Sequence, residues 1–235
     1  MMRYLMIVGV LMLYGCEGNS HLRNDEFYFN QTEDYLLKEA KINLAKKNYQ
    51  GTVKILETFE TMYPLSQRIV DVEKILIECY YRQAEYPMLK AATDRFLYEH
   101  PQDSNKDYIK MLRFLGNIKE ARGYPYDQLP FDYAQRDVTK FKDVYFEGKT
   151  FLAEHGDSQY APTVARFMPY LKDMISRHHY LVAQDLYGRQ QYIGAISMYQ
   201  SLKNDFHDTK YASLAMKQIE KFEETFHKKK EIILT

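Results

Sequence analysis

The chain has 235 residues, 46% of them hydrophobic and 27% charged, and its 32 basic residues balance 32 acidic ones. That is the make-up of a folded globular chain, and it speaks against nucleic acid as a partner, which needs clustered Lys and Arg to neutralise phosphates. Only 10 Gly and 7 Pro occur, too few for an all-β chain that turns roughly every 8–12 residues.

The chain opens with Met1-Met2-Arg3, a short basic start, followed by an uncharged apolar run from Tyr4 to Leu13. Such a run is too short to cross a bilayer, which takes about twenty residues, but it fits the apolar core of a secretory signal. It ends in Leu13-Tyr14-Gly15-Cys16, which resembles the lipobox of bacterial lipoproteins. Residues 1–15 are therefore expected to be removed and Cys16 to carry the lipid, including palmitate. Removal of Arg3 leaves 31 basic against 32 acidic residues. Two or more acyl chains, at about 0.8 kcal/mol per buried methylene, anchor a protein stably. Glu17 replaces the Asp that holds such proteins at the inner membrane in enteric bacteria. The expected location is thus the inner leaflet of the outer membrane, facing the periplasm.

Residues 16–32 are polar and carry Asn19, Asn24 and Asn30; they read as a tether. From Glu33 the apolar residues recur at helical spacing, beginning with Leu36, Leu37, Ala40 and Leu44 and then Val53, Leu56 and Phe59. Further stripes run over 69–82, 88–98, 108–121, 138–151, 164–187, 193–206 and 212–226. No strand-like alternation interrupts them, and the predicted class is all-α, with the folded part at 33–228 and a short tail at 229–235.

A repeat underlies the stripes. Tyr49 precedes Pro64 by fifteen residues, Tyr86 precedes Pro101 by fifteen, and Tyr192 stands at the same distance from His207. This is the tetratricopeptide pattern of about 34 residues, with an aromatic at the turn between helices A and B and a closure after helix B. In that register Ala40 and Ala183 take the small helix A position, Thr52 and Ala195 face it on helix B, and Tyr80 is the helix A aromatic. Small residues there let two helix axes approach to about 8–10 Å. Four to five degenerate repeats are expected, with the 106-residue step from Tyr86 to Tyr192 counted as three repeats plus four residues. The helix-breaking stretch from Gly123 to Pro130 holds the insertion, and the last helix acts as a cap.

Motifs for chemistry are missing: there is no Gly-rich phosphate loop, His-Glu-x-x-His, Cys-x-x-Cys or Gly-x-Ser-x-Gly. His178 and His179 are adjacent, so their rings leave a helix in different directions and do not share a metal. Cys79, the one thiol left once Cys16 is acylated, sits in an apolar helical stretch and reads as a packed core residue. No enzyme activity, metal or cofactor is expected.

Several segments together resemble the BamD family of outer-membrane β-barrel assembly lipoproteins. They are Tyr63-Pro64, Cys79-Tyr80-Tyr81-Arg82-Gln83-Ala84-Glu85-Tyr86-Pro87, Ala91-Ala92-Thr93-Asp94-Arg95-Phe96 and His100-Pro101 with Asn105-Lys106-Asp107-Tyr108. Gly156-Asp157-Ser158-Gln159-Tyr160 and Tyr180-Leu181-Val182-Ala183 complete the set. The Pro- and Gly-rich loop of the family is shortened here to Leu65-Ser66-Gln67. The resemblance implies a scaffold that holds the barrel insertase (a BamA-like subunit) and other assembly-machine lipoproteins, and that receives unfolded outer-membrane protein precursors.

Helix A positions facing inward in the first two repeats are Asp34, Leu37, Lys41 and Leu44, then Asp71, Lys74, Glu78, Tyr81 and Arg82; by the resemblance they form the precursor-binding groove. Insertase contact is implied at Lys210, Ser213 and Lys217, with Ser213 standing where family members carry an arginine. Other tetratricopeptide lipoproteins, such as a pilus-secretin pilot or a cell-envelope coordination factor, lack the Asp94-Arg95-Phe96 and His100-Pro101 context. A helical envelope enzyme would need an acidic pair in a deep cleft.

Overall fold

A computed structural model describes residues 28–123 and 132–234, with side chains as far as residue 224. The expected signal, Cys16 and most of the tether lie outside the described residues. So does most of the Gly123–Pro130 stretch. The described residues contain helices and turns but no strand, and they fall into two compact units, 1–69 and 70–235.

The first unit is one helical hairpin of α1 (Glu33–Ala45) and α2 (Tyr49–Met62). The Thr32 side chain caps α1 by accepting from the Tyr35 N–H at 3.4 Å, with Glu33 and Asp34 in the positive first turn. Leu36 and Ala40 bury one stripe of α1 and Thr52, Ile55, Leu56 and Phe59 the facing stripe of α2. Thr52 is polar yet fully buried, and its hydroxyl is satisfied by donating to the Asn48 carbonyl at 2.9 Å.

The second unit continues with α3 (Ile69–Gln83), α4 (Tyr86–Glu99), α5 (Lys106–Ala121), a 3-10 turn (Tyr133–Gln135), α6 (Thr139–Glu154), α7 (Ala161–Gly188), α8 (Tyr192–Asp205) and α9 (Lys210–Leu234). Gly116 of α5 packs on Leu89 and Tyr86 of α4, and Gly148 of α6 on Phe114 of α5 and Met168 of α7. A Cβ at Gly148 would stand 2.5 Å from the Met168 sulfur and 2.8 Å from the Phe114 ring. Any side chain there would have to displace both where three helices meet. Tyr180 of α7 joins Tyr199 of α8 and Tyr211 of α9, each ring pair 5.8 Å apart. The fold is all-α, built of consecutive tetratricopeptide-type hairpins.

The repeat shows in the backbone. Lys47, Ala84 and Gln190 each take a left-handed φ of 58 to 62° two residues before Tyr49, Tyr86 and Tyr192. In each turn the next amide reaches five residues back, from Asn48 to Asn43, Glu85 to Tyr80 and Gln191 to Leu186, the six-to-one closure of a Schellman motif. Gly123, with φ 73°, takes the left-handed position after α5. Helix B closes alike at Tyr63, His100, His155 and Phe206, each amide donating four residues back.

Entrances to helix A also repeat. Ser66, Asp103 and Ser158 accept from the amides of Arg68, Asn105 and Tyr160, and bond Glu33, Lys74 and Asp107 of the preceding helix A.

Ala40, Ala183, Ala195, Thr52 and Tyr80 are all buried, as the register requires. The step from Tyr86 to Tyr192 needs correcting. It holds two repeat steps, not three, because one hairpin, α5 with α6, stands between α3/α4 and α7/α8. The surplus goes into the connection between α5 and α6 and into α7, which has 28 residues where α1, α3 and α5 have 13, 15 and 16. Backbone helix also runs on to Leu234, through the residues expected to form a tail.

Candidate protein-binding surfaces

Leu37, Lys41 and Leu44 share one face of α1, beside the buried Leu36 and Ala40; Lys41 is exposed and the two leucines are half-buried. Asp34, on the same face, is exposed and bound by Arg68 at 2.6 Å. This is an amphipathic helix face with a partly open apolar strip.

In the second unit, Asp71, Lys74, Glu78 and Tyr81 lie along one face of α3, spaced three or four residues apart. Lys74 sits between Asp103 at 3.0 Å and Asp71 at 3.6 Å. Burial works against ionised Asp103, but the Asn105 amide and Lys74 outweigh it and hold its pKa below the ordinary value. Arg82 pairs with Glu78 at 3.2 Å on the same helix. The charges predicted for a ligand are therefore already bound to neighbours, and Tyr81 is the half-buried aromatic among them.

The face extends beyond the predicted residues. Tyr108 at the start of α5 lies within electrostatic range of Glu78, Arg82 and Tyr81, and burial pushes its pKa up. Its ring is 5.3 Å from that of Tyr160 at the entrance to α7. Three tyrosines from three successive A-helix positions thus border one another's surroundings. In the sequence, Tyr108 and Tyr160 carry part of the family resemblance and no predicted binding role. Their shared position, at the mouths of helix A in Asn105-Lys106-Asp107-Tyr108 and Asp157-Ser158-Gln159-Tyr160, was the available signal.

A cleft of about 590 Å³ is lined by residues including Lys110, Arg113, Lys140, Glu147 and Glu154. The carboxylates of Glu120, Glu147 and Glu154 hold helices together. Arg113 donates to Asp94 and Glu147, both at 2.7 Å, Asn117 donates to Glu147, and Lys110 and Lys140 bind Glu154 and Glu120. Among the described residues, Glu73, Glu99 and His100 are close enough to hold a cation. Glu73 is instead bound by His100 Nε2 at 2.9 Å, and the Arg95 guanidinium lies 3.7 Å away. His178 Nδ1 donates to the Ala134 carbonyl at 2.9 Å.

On α9, Lys210, Ser213 and Lys217 are all exposed, and their spacing puts them on one outward face with half-exposed Leu214. Lys210 is 3.7 Å from Asp173 and stacks over the Tyr211 ring at 4.8 Å. Beside it is a cleft of about 520 Å³ floored by Leu152, Met168 and Pro169, where Pro169 inside α7 leaves one helical hydrogen bond unmade. Lys172 and Asp208 pair at its rim.

A family model described as YfiO, outer membrane lipoprotein, matches residues 30–231. The chain belongs to the BamD family of outer membrane lipoproteins. Among its relatives, the protein named outer membrane protein assembly factor BamD in Vibrio cholerae is 24% identical over 227 residues, 95% of this chain and 92% of the relative. The protein of the same name in Buchnera aphidicola is 24% identical over 206 residues, 86% and 84% of the two chains. That of Neisseria meningitidis serogroup B is 28% identical over 185 residues, 79% and 69%. Family membership spans both compact units, and the surfaces on α1, α3 and α9 all fall inside the matched region. No described helix is long and apolar enough to cross a membrane.

Proposed function

We propose that this chain is a non-catalytic scaffold of outer-membrane β-barrel protein assembly, anchored through Cys16 to the inner leaflet of the outer membrane and facing the periplasm. The observation that carries this reading is the near full-length similarity to proteins named outer membrane protein assembly factors. The exposed face of α9 at Lys210, Ser213 and Lys217 contacts the barrel insertase. With Ser213 in place of the family's arginine, Lys210 and Lys217 supply the positive charge that an acidic partner group needs.

Unfolded precursors bind the inward faces of the A helices, through Leu37, Lys41 and Leu44 on α1 and Asp71, Lys74, Glu78, Tyr81 and Arg82 on α3. Barrel precursors typically end in an aromatic residue and a free carboxylate. Tyr81, beside Tyr108, offers ring area at little conformational cost, and Arg82 can exchange Glu78 for a bidentate contact with the carboxylate.

Titration of a fluorescent C-terminal porin peptide tests this. The Tyr81→Ala, Arg82→Ala double variant should bind about 2–4 kcal/mol more weakly than wild type if both are hot spots. Equal affinities, or unchanged binding of a peptide lacking the terminal aromatic, would remove precursor recognition from this face.

A further inference from the structure

Leu65 is 96% exposed, the most open large apolar side chain among those described, and Phe29 is 47% exposed. A lone exposed leucine is ordinary on a protein surface. The placement of this one is not. Leu65 stands between helices, next to exposed Pro64, in a turn bound to the segment where the chain enters α1. Tyr63 Oη donates to the Gln31 carbonyl at 2.8 Å, Ser66 Oγ to Glu33 at 2.9 Å and Arg68 to Asp34 at 2.6 Å. Thr32 and Leu65 line one shallow cleft. The turn and the end of the tether therefore move as one piece, with Phe29 just upstream.

We propose that this piece, Phe29 with the Pro64-Leu65 tip, is a second membrane contact that rests in the lipid interface beside the anchor. The inference rests on acylation of Cys16, as proposed above for a member of a family of outer membrane lipoproteins. Cys16 and Tyr28 are 12 residues apart in the sequence, a span of at most about 40 Å even when fully extended. The anchor thus confines the Leu65 tip near the bilayer at an effective concentration of millimolar order, at which a weak apolar contact is populated. Leucine and phenylalanine suit shallow burial at the acyl boundary, and Arg68 beside them can reach lipid phosphates.

The test uses the full-length acylated protein in vesicles of phosphatidylethanolamine and phosphatidylglycerol with a fraction of lipids brominated in the acyl chain. A polarity-sensitive fluorophore is placed by Leu65→Cys or, as reference, by Lys46→Cys at the far end of α1. Cys79 is fully buried and does not compete for label. The expected result is blue-shifted emission and several-fold stronger bromine quenching at position 65 than at position 46. Equal quenching, with the protein floating with the vesicles, would overturn the membrane contact and leave the anchor intact. Failure to float would overturn both. Protection of position 65 by co-purified proteins without bromine quenching would assign the tip to a protein partner and likewise overturn the proposal.

Discussion

His179 shows how one side chain can govern the response of the second unit to acid. Both of its ring nitrogens are buried without a hydrogen-bond partner among the described residues, and its ring meets Phe206 edge-on at 5.7 Å. Burial, then Lys142 and His178, lower its pKa to about 4, with Asp205 opposing. A histidine in the unfolded chain takes its proton near pH 6.5. The stabilisation from keeping His179 neutral is therefore complete above about pH 6.5 and is lost as pH falls toward 4, because only the unfolded chain binds the proton in that window. His155 is shifted the same way by burial and Lys110. Asp94, Asp103 and Glu154 are held below their ordinary values and so release their stabilisation at lower pH.

Urea denaturation at pH 7, 6 and 5 should thus show falling stability. The contribution of His179 is bounded by about 1.4 kcal/mol per pH unit for one proton, and screening of its partly exposed ring keeps it below that bound. His179→Phe, which keeps the ring against Phe206 and cannot protonate, should flatten the slope. An unchanged slope would mean that His179 finds a partner in solution.

At the scale of elements, the hairpin depends on close approach. Ala183 of α7 and Ala195 of α8 are fully buried on helices packed together. Ala183→Leu should overpack this crossing and destabilise by about 1–3 kcal/mol, lowering Tm by roughly 2–4 °C per kcal/mol for a chain of this size. An unaltered melt would contradict the repeat register.

That register was legible because helix burial imprints a three-to-four spacing on the sequence, and because the turns before Tyr49, Tyr86 and Tyr192 each end on a tyrosine behind a left-handed residue. Every predicted stripe corresponds to a helix. The number of repeats between Tyr86 and Tyr192 was not legible. Counting by multiples of 34 cannot distinguish an extra hairpin from a longer loop and a longer helix, and here α7 and the connection before α6 absorb the difference. The faces of α1 and α3 could be read from spacing, since one face of one helix is a local property. Tyr108 and Tyr160 were missed as parts of the same surface, because their neighbourhood is made by stacking hairpins distant in sequence. Pairing was also invisible: only the structure brings Asp103 to Lys74 and Glu147 to Arg113.

At the scale of the whole molecule, the proposed division of labour places precursors on the A helices and the insertase on α9. The final helix packs on α7 and α8 through Tyr211, Tyr180 and the Phe222 ring, which lies 5.0 Å from Tyr187. Removing it exposes one side of the last hairpin and one wall of the cleft over Leu152 and Met168. The deletion of residues 208–235 should leave the earlier hairpins folded, seen as retained helical circular dichroism, while removing the face of Lys210, Ser213 and Lys217.

Co-purification of the acylated, affinity-tagged chain from native membranes in mild detergent, with the bound proteins identified by mass spectrometry, tests the scaffold role most directly. The full chain should bring down the barrel insertase together with other assembly lipoproteins, and the chain ending at His207 should lose the insertase. Recovery of no insertase with the full chain, or equal recovery with both chains, would contradict the role assigned to α9, and the first outcome would contradict the assembly scaffold itself.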